Sequence, residues 1–177
     1  MQRNKISIAK KTLLLLENYK WNQITTSQII KDKKSHNIKT KDDLLKNINK
    51  YFDFLLKENL TSIEKSTAKD MLFEVIMARL DIINLHRKAI KNLISHFISK
   101  PQEFIKLLPT FLDTIILIST ISNIDVTGIK GIPKVKVVFI LYLLIIYSWN
   151  NDETNSLEKT MTTLDKYLTQ IDKYFNL

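Results

Sequence analysis

Asp70, Glu74 and Asp81 stand at spacings of four and seven, which on an α-helix aligns three carboxylates along one face. General acid/base chemistry could draw on such a row, but a solvated or ion-paired stripe has the same spacing. Nothing else in the chain completes a reaction. There is no G-x-S-x-G, Walker or dinucleotide fingerprint, and a phosphate cradle needs glycines that a chain with only two lacks. His36, His86 and His96 are far apart and have no carboxylate or cysteine at ligand spacing. We therefore expect no metal, no cofactor and no enzymatic activity.

More informative is ARLDIINLHRKAI, where Arg79, Asp81, His86 and Arg87 are set in an apolar surround. Buried polar groups need partners. An ion pair joining two helices would satisfy them. In a sharper reading, Arg79, His86 and Arg87 line a cavity and orient the polar head of a ligand. Met71, Phe73, Met77, Phe111 and Tyr142 could line the same cavity, although core packing alone is the commoner explanation of such residues.

Charge is distributed unevenly. Residues 1–60 hold 13 Lys/Arg against 6 Asp/Glu, whereas residues 61–177 hold 14 against 12. Within TSQIIKDKKSHNIKTKDDLL, from Thr26 to Leu45, five lysines fall in eleven positions. Such an excess suits a nucleic-acid backbone or an anionic membrane. Lys31, Lys33, Lys34, His36, Lys39 and Lys41 are the candidate phosphate contacts. Arginine is scarce and Ile, Asn and Lys abound, the bias of an A/T-rich genome, so the lysine total alone overstates function.

The elements that must position these residues read as helices throughout. Apolar content of 45% with two glycines and three prolines excludes an all-β chain. Ile6, Ala9, Leu13 and Leu16 make the apolar face of a first helix, and Ile29 and Ile30 belong to a short second one. Thr40 precedes a longer helix striped by Leu44, Leu45, Ile48, Tyr51, Phe52 and Leu55, with Asp42 and Asp43 in its first turn. Met71 to Ile83 is apolar over most of its circumference and predicts a central helix. Pro101 opens the next pattern and Pro109 predicts a kink or break within it. Helices near 134–150 and 156–175 close the chain. We expect a head over 1–45 and a helical body over 46–177. Cysteine is absent and the amino-terminal apolar pattern is interrupted by lysines, which leads us to expect a cytoplasmic protein. The 13-residue run Val137 to Trp149 is too short to span a bilayer. Tyr142, Ile146, Trp149, Leu164, Leu168 and Ile171 are the candidate surface of a symmetric homodimer.

This order of elements resembles the TetR family of one-component regulators. SIAKKTLLLLENYKWNQITTSQII is similar to that family's first helix, its bend and the start of its second helix, with Asn18, Tyr19, Lys20 and Trp21 at the bend. TKDDLL resembles the S-K-x-x-L opening of its fourth helix, with Lys41 on the family's lysine. MLFEVIMARLDIINLHRKAIKNL, NIDVTGIKGIPKVKVVFILY and WNNDETNSLEKTMTTLDKYL resemble the ligand domain of a proteobacterial TetR branch. The resemblance implies a homodimer that binds DNA through its head and a small apolar ligand in its body. Between Ile30 and Lys41 the chain is several residues shorter than the family pattern, without its glycine turn or L-Y-x-x-F recognition helix. The lysines could still meet phosphate, which supplies affinity without sequence information. An altered head also resembles the ubiquinone-biosynthesis accessory proteins, which implies lipid in place of DNA, although the YTKR-like and W-x-x-A-G-D segments of that branch are missing.

Overall fold

The computed structural model describes residues 1, 3–30, 38–60, 66–154 and 156–175. Among them every regular element is helical and there is no strand, so the all-α reading holds. The helices are α1 (Arg3–Asn18), α2 (Thr26–Ile29), α3 (Lys41–Asn59), α4 (Ala68–Asn84), α5 (Arg87–Ser99), α6 (Pro101–Ile105), α7 (Leu108–Ile121), α8 (Gly128–Asn150) and α9 (Glu158–Phe175), with a 3-10 turn at Trp21–Gln23 between α1 and α2. Two compact units result, one of Met1–Glu58 with Asp81–Phe111, the other of Asn59–Leu80 with Leu112–Leu177. The expected head-to-body boundary at residue 45 falls inside α3.

In the first unit α1 packs against α5, and Ala9, Leu13 and Leu16 of α1 and Ala89 and Leu93 of α5 are buried. Helix α3 starts at a reciprocal cap: Thr40 Oγ1 accepts the Asp43 N–H at 3.1 Å, and Asp43 Oδ2 accepts the Lys39 and Thr40 N–H groups at 3.0 and 2.9 Å. Those bonds, that from Lys39 foremost, hold the Asp43 carboxyl below its usual range. Leu44, Leu45, Ile48, Tyr51 and Phe52 face the core as the periodicity predicts, with Leu56 rather than Leu55 ending the buried row. Asn47 donates to the Lys5 carbonyl at 2.8 Å and Asn49 to the Thr110 carbonyl at 3.2 Å, fixing α3 to its neighbours. Pro109 marks a break: α6 ends at Ile105 and the proline lies in the first turn of α7, where its missing N–H is not needed. Phe97, Phe104 and Phe111 stack in sequence across that break, at centroid distances of 5.7 and 5.3 Å.

In the second unit Leu72, Val75, Ile76 and Leu80 of α4, Ile115 and Ile118 of α7, Leu141, Ile145 and Trp149 of α8, and Leu164 and Leu168 of α9 form the core. Helix α8 packs on α9. Their connection is held by Asp152, fully buried, whose Oδ1 accepts from the N–H and hydroxyl of Thr154 at 3.0 and 2.6 Å and whose Oδ2 accepts from those of Thr160 at 2.8 and 2.7 Å. Burial alone would raise this carboxyl, but the four donors outweigh it and hold the group at about 2. Gly131 is needed for close approach, since a Cβ there would collide with the backbone of Val126. Among the described residues no helix is long and apolar enough to cross a membrane.

Candidate functional site

The two segments that carry the head's family resemblance meet at Lys41. Its ammonium donates to the Trp21 carbonyl at 2.5 Å and lies 4.5 Å from the centroid of the Trp21 ring, so one side chain fastens the first turn of α3 to the bend after α1. Desolvation lowers the Lys41 pKa, Glu103 opposes the shift and Lys100 adds to it. Glu103 is itself engaged, accepting from His96 Nε2 at 2.8 Å with Lys100 at 3.7 Å. The His96 bond is the main cause of its lowered carboxyl pKa.

Beside this cluster the first unit has an open cleft of about 560 Å³. One wall is the end of α1 and the bend, from Leu16 to Asn22. The other is the face of α5 that carries Lys88, Asn92, Ser95, His96, Ser99 and Lys100. Asn92 joins the walls, its amide donating to the carbonyls of Leu16 at 3.0 Å and Tyr19 at 2.7 Å, and so satisfies two acceptors that the end of α1 leaves open. Trp21 is buried and lines the cleft, while Tyr19 is exposed at it.

Of the expected phosphate contacts, Lys31, Lys33, Lys34 and His36 lie outside the described residues. Lys39 is exposed, but Lys41 is drawn inward onto Trp21. Of the expected ligand trio, Arg79 belongs to the second unit and is fully buried, its Nε donating to the Tyr142 hydroxyl at 2.9 Å. His86 and Arg87 belong to the first. His86 Nδ1 is 3.6 Å from Glu17 Oε1, its ring 6.2 Å from that of Phe52, and Arg87 donates to Asn84 Oδ1 at 2.9 Å. Neither the cleft nor a shallow groove along α9 is lined by any of the three. The carboxylate row is also dispersed in role. Asp70 caps α4 with Thr67, the hydroxyl donating to its Oδ2 at 2.7 Å, while Glu74 is exposed and burial raises the pKa of Asp81.

The expected dimer surface lies mostly inside the fold. Tyr142, Trp149, Leu164 and Leu168 are buried within the second unit, and Ile146 and Ile171 are half-buried. The exposed apolar stripe of α8 is instead Ile140, Leu143, Leu144 and Tyr147. Its spacing of three and four was legible, but α8 is apolar on every side between residues 137 and 149, so periodicity alone did not separate the inward from the outward face.

Compared with known proteins, the chain matches no family model and no curated protein. Residues that the sequence did not single out are Trp21 as the partner of Lys41, Glu103, and Asn92. Only the composition of the bend hinted at the first, and nothing local marked the other two, whose partners lie 7 and over 70 residues away.

Proposed function

We propose that the protein is a TetR-like transcriptional regulator whose basic amino-terminal head contacts duplex DNA and whose second unit takes a small apolar ligand. The observation that carries this reading is the Lys41 clamp. It joins the N-Y-K-W bend to the T-K-D-D-L-L helix start, the two head segments in which the resemblance resides. The charge excess of residues 1–60 supports it independently. Exposed lysines there would neutralise phosphates and release counterions. Support for a ligand in the second unit comes from polar groups buried in its core: the Arg79–Tyr142 bond, and the hydroxyls of Ser119 and Ser122, buried without a hydrogen-bond partner among the described residues. The outward stripe of α8 would be the homodimer face. In a second reading, a lipid-binding accessory protein, that same apolar stripe would lie against lipid.

The test is to bind fragmented DNA from the source genome to the purified protein across a salt series and sequence what is retained. Enrichment of one short, roughly palindromic site at physiological salt supports the regulator. Uniform retention that disappears with salt contradicts sequence-specific regulation.

A further inference from the structure

We propose that His96 governs the Lys41 clamp: when its imidazole takes up a proton, the charge placed beside Glu103 releases the Lys41 ammonium from Trp21. The groups involved all belong to the first unit, apart from the apolar ligand proposed for the second, and only the consequence for DNA rests on the DNA-binding reading. Glu103, on α6, serves cationic groups from three stretches of chain. Its Oε2 accepts from His96 Nε2 of α5 at 2.8 Å, its Oε1 lies 3.7 Å from the Lys100 ammonium between α5 and α6, and its charge acts on Lys41 at the start of α3. Burial of Lys41 disfavours its charge, Glu103 favours it, and Lys100, a like charge, disfavours it further. The Trp21 carbonyl and ring that receive Lys41 are neutral, and such partners hold an ammonium less firmly than a carboxylate does.

With His96 neutral, its Nε2–H donates to Glu103, and the carboxylate has two full positive charges to balance, those of Lys100 and Lys41. A proton on the ring makes them three. An imidazole gains that proton in the mildly acidic range, and His96 stands in the last turn of α5, where the helix dipole favours positive charge. Its side chain is only 12% exposed, so solvent screens the new charge poorly. His96 and Glu103 then form the closest pair of the cluster. Lys41, which among the described residues is beyond ion-pair distance of Glu103, is left with the repulsion of His96 and Lys100. The other charged groups on the walls that His96 shares are Glu17, Lys20 and Lys88, and Glu17 faces His86 instead. Closed on Trp21, Lys41 fastens α3 to the bend and is withheld from phosphate. Released, it joins the exposed Lys39.

The test follows Lys41 itself in full-length protein carrying ¹³C-labelled lysine. An ε-methylene held over an indole ring resonates upfield of those of exposed lysines, and Lys41→Met identifies the signal by its loss. As pH falls from about 8 to about 5.5, across the histidine range, this signal should move downfield toward the exposed lysines. His96→Gln, which keeps a donor for Glu103 and gains no charge, should hold it upfield throughout, whereas His86→Gln should titrate as the wild type does. Glu103→Gln should move it part of the way downfield already at the higher pH. A signal that stays upfield in the wild type, that moves equally in His96→Gln, or that Glu103→Gln leaves in place would overturn the proposal. Duplex binding by the same proteins tests the DNA reading separately: a salt slope unchanged while Lys41 moves contradicts a DNA contact by Lys41 and leaves its release established.

Discussion

Arg79 on α4 donates its Nε–H to the hydroxyl of Tyr142 on α8 at 2.9 Å, and both side chains are buried in the core of the second unit. A guanidinium in that position keeps its charge, so its bonds decide whether the core tolerates it. Tyr142→Phe removes one acceptor and should cost about 1–2 kcal/mol in urea unfolding. Arg79→Ala, which opens a cavity and removes a donor to the tyrosine hydroxyl, should cost about 3 kcal/mol or more. If Arg79 orients a bound ligand as well, Tyr142→Phe should also weaken ligand binding with little change in fold.

Lys41 gives a second prediction because its structural bond competes with its expected role on DNA. Lys41→Met should cost about 1–2 kcal/mol, chiefly through loss of the Trp21 carbonyl bond and the ring interaction. The salt dependence of DNA binding should be unchanged if the ammonium stays on Trp21. A slope reduced by the equivalent of about one phosphate would show that it leaves Trp21 to reach the duplex.

Asp152 predicts an acid-side loss of stability. Its folded pKa is depressed to about 2 from an ordinary 3.8, so the stabilisation is fully present above the ordinary value and disappears as pH falls from there through the folded one. Stability followed by circular dichroism should fall over that window. Asp152→Ala should remove this component, at a cost near neutral pH of about 2 kcal/mol, because the donors of Thr154 and of the buried Thr160 lose their acceptor.

For association the two faces of α8 and α9 should behave differently. Leu144→Glu with Tyr147→Glu changes exposed positions and should abolish a dimer seen by analytical ultracentrifugation while leaving monomer stability within about 0.5 kcal/mol. Leu164→Ala should instead destabilise the fold by about 2–4 kcal/mol, since that side chain is fully buried.

The fold was readable where one face of a helix is apolar and the other polar. The buried row of α3, the buried Ala9, Leu13 and Leu16 of α1, and the break at Pro109 all follow from spacing and from the missing proline N–H. Legibility failed where hydrophobicity is uniform: on α8 the inward Tyr142 and Trp149 and the outward Leu144 and Tyr147 have the same character, and only packing within the second unit distinguishes them. The polar interactions were hidden for a different reason. His96 with Glu103, Asn92 with the end of α1, and Lys41 with Trp21 join residues that become neighbours only after α5 and α3 have packed. Charge asymmetry, by contrast, is a property of sequence and could be read at once.

The most direct measurement is the affinity of a generic duplex as a function of salt for the wild type and for a variant with Lys31, Lys33 and Lys34 changed to alanine. If these lysines meet phosphate, the slope of log affinity against log salt should fall by about 0.9 for each phosphate that is no longer neutralised, or about 2–3 in all, with unchanged unfolding in urea. An identical slope and affinity in the two proteins would contradict a DNA-binding head.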